Sequence, residues 1–92
     1  MDIKIEVTAE EQAKILSAIS ELNSREYVSQ MPLQSIADLS GLKLSKTRMV
    51  VEDLMVKGLI TRYNVSEKQI RPRYYYTLSE AALKILQDAA IK

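Results

Sequence analysis

The stretch LQSIADLSGLKLSKTRMVVEDLMVKG, residues 33–58, predicts two helices joined by a tight turn. Gly41 is expected to end the first helix, because glycine adopts the left-handed conformation after a helix without steric strain. Only three residues, 42–44, separate it from Ser45, which is a favoured N-cap for the next helix. Two helices joined by so short a turn must cross steeply, as in a helix-turn-helix.

Apolar residues within this stretch recur at helical spacing, so each helix has one face that should be buried. The second helix is expected from about Lys46 to Lys57, with Gly58 ending it. The predicted buried residues are Leu33, Ile36, Ala37 and Leu39 in the first helix, and Thr47, Val50, Val51 and Leu54 in the second.

The residues before this stretch predict a strand and a further helix. Apolar and charged residues alternate in residues 1–7, as in a short half-buried strand. Thr8 and Glu11 have the spacing of a capping box, in which each side chain bonds the other residue's backbone amide. The helix that follows is expected over residues 9–23, and Pro32 suits the first turn of the helix after it.

The residues after the stretch predict a β-hairpin and a last helix. Two runs rich in β-forming residues lie within 59–78, with a polar, basic loop at 66–73 between them. Strand alternation places Tyr76 toward the core and Tyr75 outward. Ser79 is a good N-cap for a last helix within 79–92, whose predicted buried face carries Ala82, Leu83, Leu86, Ala89 and Ala90.

The composition excludes several classes of function. The chain has 92 residues, no cysteine and no histidine, so disulfides, zinc fingers and histidine-based catalysis are absent. No apolar run is long enough to span a membrane. A glycine-rich phosphate loop is also missing, so we expect no enzyme and no cofactor. No acid cluster has the spacing of an EF-hand, so we expect no metal site. A single intracellular, cytoplasmic domain over residues 1–92 is the prediction.

The net charge of +1 hides an uneven distribution. Residues 43–73 carry eight basic and three acidic residues, whereas residues 1–42 carry three basic and seven acidic ones. One basic segment in a nearly neutral chain is typical of a protein that meets a polyanion with one face. Alternatively, the basic residues of this segment are simply solvated on the surface and bind nothing.

Three segments together resemble a winged helix-turn-helix domain of the MarR and PadR types of transcriptional regulator. They are LQSIADLSGL, LSKTRMVVEDLMVKGLI and RYYYTLSEAA, and the similarity covers roughly residues 28–86. The resemblance implies an α+β, mainly α fold: a helix-turn-helix over 32–57, a β-hairpin wing over 59–78 and a last helix over 79–92. In those families the last segment often ends in glycine, where this chain has Ala82.

The resemblance also implies double-stranded DNA as the partner, bound by a homodimer, with the recognition helix 45–57 in the major groove. The wing residues 66–73 would lie on the flanking groove or backbone. Arg48 is the residue expected to read a base, because its guanidinium can bond guanine at two atoms. The implied contacts are Gln34, Ser35, Lys43, Ser45, Lys46, Arg48, Met49 and Glu52, with Lys68, Arg71, Arg73 and Tyr75 of the wing.

Several of these residues have a structural interpretation as well. Glu52 is expected to pair with Arg48 one helical turn away, and Met49 fits a broad apolar face equally well. The same fold could serve as a protein-interaction module without DNA. The tyrosines could instead stack on single-stranded nucleic acid. The final helix, with Ile85 and Ile91 off its core stripe, and the N-terminal strand and first helix are the predicted dimer surface.

Overall fold

The structure is a computed structural model that describes residues 7–25, 30–64 and 74–90. Its elements in chain order are α1 (Ala9–Asn23), α2 (Leu33–Ser40), α3 (Leu44–Val56), β1 (Ile60–Asn64), β2 (Tyr74–Leu78) and α4 (Glu80–Ala90). The two strands pair antiparallel, with Ile60 opposite Leu78 and Asn64 opposite Tyr74. This mainly helical arrangement with one hairpin confirms the predicted fold class. The predicted strand 1–7, apart from Val7, the loop 66–73 and Ile91 lie outside the described residues.

Local signals in the sequence account for the ends of most helices. The amide of Glu11 donates to the Thr8 hydroxyl at 3.1 Å, and the Glu11 carboxylate accepts from the Thr8 amide at 2.9 Å, so the capping box is formed. Gly41 and Gly58 both have φ of 75°, as predicted for residues that end α2 and α3. The Ser79 hydroxyl accepts from the Ala82 amide at 3.3 Å and caps α4.

One core unites the elements. The buried face of α3 consists of Thr47, Val50, Val51 and Leu54, as the spacing predicted. These side chains meet α1, α2 and the hairpin, where Tyr76 is buried as expected. The other buried apolar residues are Ile15, Leu16, Ala18, Ile19, Leu22, Met31, Ile36, Ala37, Ile60 and Ala82.

The start of α3 differs from the prediction. Helix α3 begins at Leu44, and its first helical hydrogen bond runs from the Thr47 amide to the Lys43 carbonyl at 2.8 Å. Lys43 therefore occupies the N-cap position and makes no side-chain cap, while Ser45 lies inside the first turn. The left-handed Gly41 turns the chain so sharply that Leu42 and Lys43 alone complete the connection.

Two residues predicted to be buried are exposed. Leu39 lies off the stripe formed by Leu33, Ile36 and Ala37, because the fourth position of that stripe is Ser40. Leu83 lies beside the stripe of α4, of which Ala82 is fully buried. Since α4 contacts the rest of the described chain through α1 and β2, its flank stays open to solvent.

Tyr75 is also placed differently from the prediction. Strand alternation does set it opposite Tyr76, but the end of α1 covers that side of the hairpin. The Asn23 side-chain amide donates to the Tyr75 hydroxyl at 3.1 Å and to the Tyr76 carbonyl at 2.9 Å. Tyr75 is thus half-buried against the core, and its hydroxyl is bonded to α1 instead of facing outward as predicted.

Candidate nucleic-acid interface

A cleft of about 480 Å³ separates α3 from the hairpin and the start of α2. Helix α3 contributes its outer face together with the edge of its buried face at Val51, while Val50 and Leu54 point into the core. The hairpin contributes the face that carries Arg62 and Tyr74. The lining residues are Gln30, Met31, Pro32, Leu33, Arg48, Val51, Glu52, Met55, Arg62, Tyr74 and Tyr76.

Arg48 lies on the exposed outer face of α3 and lines the cleft, where the sequence predicted a base-reading residue. Glu52 lies one turn further along on the same face and is exposed as well. The two residues are within the described chain and form no ion pair there, so the predicted Arg48–Glu52 pair is not present. Among the described residues, no carboxylate holds the guanidinium of Arg48 in place.

Arg62 lies across the cleft from Arg48 and was not predicted as a contact. Its guanidinium carbon is 4.3 Å from the centroid of the Tyr74 ring, a distance at which the ring attracts the cation. The alternation of side chains along β1 could have predicted this position of Arg62. Arg62 is two residues after the buried Ile60, so both side chains lie on the same face of β1, next to α3.

Tyr76 forms part of the cleft floor. Burial raises the pKa of its hydroxyl, and the neighbouring Arg62 guanidinium opposes that change. A phenol with a raised pKa stays neutral at physiological pH, and its oxygen can accept a hydrogen bond from the Arg62 guanidinium. The buried ring and the stacked Tyr74 together give Arg62 a fixed support.

Lys46 is placed away from the open surface. Its ammonium nitrogen lies 3.3 Å from the Glu11 carboxylate, and the side chain is only 23% exposed. Of the other predicted residues on α3, Ser45 is exposed and Met49 is half-buried. Lys43, at the N-cap of α3, is exposed.

The predicted contacts on α2 lie in the first turn of that helix. Gln34 is exposed and its side-chain amide donates to Asp38 at 2.8 Å, while Ser35 is half-buried in the first turn. Lys68, Arg71 and Arg73 lie outside the described residues. Of the residues considered as contacts, the structure brings Arg48 and Glu52 of α3 and Arg62 of β1 to one cleft.

Neither a membrane-spanning helix nor a metal site is found among the residues that the structure describes. No helix within them combines the length and apolar character needed to cross a membrane. No group of three or more acidic side chains there could hold a metal ion.

The helix-turn-helix, the hairpin directly after it and the last helix define a winged helix-turn-helix fold that resembles MarR-type regulators. Solved structures share it. A mutant of Lactococcus lactis ZitR, in complex with DNA, has a TM-score of 0.66 at 17% identity over 98% of this chain and 55% of ZitR. A MarR family transcriptional regulator from Silicibacter pomeroyi has a TM-score of 0.61 at 24% identity over 86% of this chain and 48% of its own.

A shorter protein matches over nearly its whole length. The DNA-binding TubR fragment from Clostridium botulinum has a TM-score of 0.62 at 13% identity, over 91% of this chain and 99% of the fragment. By contrast, the chain spans about half the length of ZitR and of the Silicibacter regulator. No protein-family model matches the chain, and no curated protein is significantly similar to it.

Proposed function

We propose that this chain binds double-stranded DNA with sequence specificity, as a small transcriptional regulator. The outer face of α3 enters the major groove, and the loop 66–73 lies on the flanking groove or backbone. Arg48 reads a base, while Lys43 and Arg62 bind phosphates on either side of it. Gln34, Ser35 and Ser45 supply further phosphate contacts.

The distribution of unpaired cations carries this proposal. Within the described residues, Lys14, Arg25, Lys46 and Lys57 each form an ion pair with a carboxylate of the chain. Four described cations form none: Lys84 on α4, and Lys43, Arg48 and Arg62, which are exposed around α3 and the hairpin. Cations left without a carboxylate partner on one face are available to neutralise DNA phosphates.

A salt-titrated binding assay on random duplex is the first test. With about four to six phosphate contacts per protomer, the logarithm of the binding constant should fall with the logarithm of salt by nearly one unit per contact. Absence of binding even at low salt would contradict the proposal. That result would favour the alternative of a protein-interaction module that uses the same fold without DNA.

Selection of a binding site from random duplex, followed by Arg48→Ala, tests specificity. The variant should lose about 1–3 kcal/mol of discrimination at one base pair, because the bidentate contact to guanine is removed. Arg25→Ala is the matched control, since Arg25 is held by Glu21 on α1 at 3.1 Å. Equal losses in both variants would show that Arg48 contributes only charge.

The proposed regulator is a homodimer, because one recognition helix reads too short a half-site for specificity. Helix α4 supplies the surface: Ile85 is 45% exposed on it and lies beside the stripe that faces the core. Sedimentation should show a dimer at micromolar concentration that Ile85→Glu dissociates. Leu39→Glu, a change at an exposed leucine of α2, should leave the dimer intact, and a monomeric wild type with and without DNA would refute the dimer.

A further inference from the structure

The carboxylate of Glu11 connects the first turn of α1 with the first turn of α3. One oxygen, Oε1, accepts hydrogen bonds from the Thr8 amide at 2.9 Å and from the Thr8 hydroxyl at 3.1 Å. The other, Oε2, lies 3.3 Å from the Nζ of Lys46. A single side chain therefore both caps α1 and holds a cation of the helix that is proposed to enter DNA.

This ion pair differs from the neighbouring pair on α1 in its surroundings. The side chains of Lys46 and Glu11 are 23% and 19% exposed, whereas those of Lys14 and Glu10 are 48% and 80% exposed. Partial removal from water strengthens the attraction between two charges and reduces screening by salt. The Thr8 amide, and then Lys46, hold the pKa of Glu11 below its usual range against the opposing effect of burial.

The Glu11–Lys46 pair lies at the N-terminal end of α3, where a lysine needs a nearby anion. The first turn of α3 contains no acidic residue, and Lys43 makes no side-chain cap. A lysine at that position lies close to the positive end of the helix dipole, which is unfavourable unless an anion is near. Glu11 supplies that anion from α1.

A second link fixes the alignment of the same two helices. The side-chain amide of Gln12 donates to Asp53 at 3.3 Å, two turns further along α3 than Lys46. Neighbouring residues of α1 thus hold α3 at two points along its length. Rotation of α3 that would free Lys46 toward solvent would also break the Gln12 contact.

From these contacts we infer that Glu11 is a positioning residue that holds Lys46 against α1 and keeps it out of the DNA contacts. This inference rests on the proposed DNA binding. Lys46 then adds nothing to the affinity for phosphates while Glu11 is ionised, although its type and position in the sequence predict a contact. The phosphate contact at this end of α3 comes from Lys43, which is exposed.

The test compares the salt dependence of binding to a random duplex for the wild type, Glu11→Gln, Lys46→Gln and the double variant. Glutamine at position 11 retains the capping box but loses the charge that holds Lys46. Glu11→Gln should therefore increase the magnitude of the log–log slope by about 0.9, the value for one added phosphate contact. Lys46→Gln should leave the wild-type slope unchanged, and the double variant should return to it.

Glu10→Gln is the matched control. Glu10 is adjacent to Glu11 in the chain and pairs with Lys14 on the exposed surface, so its loss removes the same charge but should not change the slope. The inference fails if Lys46→Gln alone reduces the slope by about 0.9, since Lys46 would then contact phosphate while paired. It also fails if Glu11→Gln leaves the slope unchanged or shifts it as much as Glu10→Gln does. A wild type that binds no duplex at low salt overturns the proposed function and the inference with it. If the wild type binds normally and only the slopes of the variants differ from those expected, the inference about Glu11 fails and the proposed function stands.

Discussion

The two faces of α3 differ in how their residues are held. On the inner face, Val50, Val51 and Leu54 are enclosed by the other elements. On the outer face, Arg48 and Glu52 are exposed and form no ion pair within the described chain. The helix is therefore fixed by packing on one side alone, which leaves the other side free to contact a ligand. Substitutions on the inner face should change stability, and those on the outer face should change binding.

The largest effect is expected for Leu54→Ala on the inner face. Leu54 is fully buried, so its truncation removes apolar contacts and leaves a cavity, at a cost of about 2–5 kcal/mol in the free energy of unfolding. Urea denaturation followed by circular dichroism measures this cost. Val56→Ala, two residues away and 88% exposed, is the control and should change stability by less than about 0.5 kcal/mol. Similar costs in the two variants would contradict the assignment of the faces.

A smaller effect of opposite sign is expected for Thr47→Val. The Thr47 hydroxyl is buried and has no hydrogen-bond partner in the described part of the chain. Valine has nearly the same shape and a similar helix propensity, so the substitution should raise the free energy of unfolding by about 1–2 kcal/mol. Duplex affinity should stay unchanged, because Thr47 faces the core. A loss of stability would show that the hydroxyl is bonded in solution.

The inner face is also the part of α3 that the sequence predicts best. Spacing of apolar residues identified Thr47, Val50, Val51 and Leu54, because burial of one helical face imposes a period that can be counted. The helix ends set by Thr8 and the two glycines were predicted for a similar reason. Each depends on bonds or backbone angles within a few residues, and therefore on local sequence.

The features that the sequence did not predict depend on contacts between distant elements. Tyr75 is covered because α1 ends beside the hairpin, with Asn23 52 residues away in the chain. The Glu11–Lys46 pair likewise requires the packing of α1 on α3. Arg62 had a local signal in strand alternation, but its position across a cleft from Arg48 depends on how the hairpin folds back. Local patterns therefore give the elements and the inner faces, while the partners of polar side chains require the tertiary structure.

A still smaller effect on stability is expected from Glu11, and it should be visible at acidic pH. Its pKa is lowered in the folded protein, chiefly by the hydrogen bond from the Thr8 amide, so the unfolded chain takes up a proton first on acidification. The stabilisation it provides is complete above about pH 4.5 and is lost as the pH falls through the lower, folded value. Thermal unfolding from pH 7 to pH 3 should show a weaker acid dependence for Glu11→Gln than for the wild type. An unchanged dependence would mean that other carboxylates account for it.

The smallest effect is expected between Arg48 and Glu52 themselves. Spacing of one helical turn predicts an ion pair, yet the two side chains do not meet, and exposed pairs of this kind contribute about 0.3–0.5 kcal/mol even when formed. A double-mutant cycle with Arg48→Ala and Glu52→Ala should therefore give a coupling free energy of unfolding below about 0.3 kcal/mol. Lys57→Ala and Asp53→Ala form the matched cycle, because that pair is formed at 2.9 Å on the same helix. A coupling as large for Arg48 and Glu52 as for Lys57 and Asp53 would show that the two outer side chains hold each other, and that the proposed base contact of Arg48 requires this pair to break.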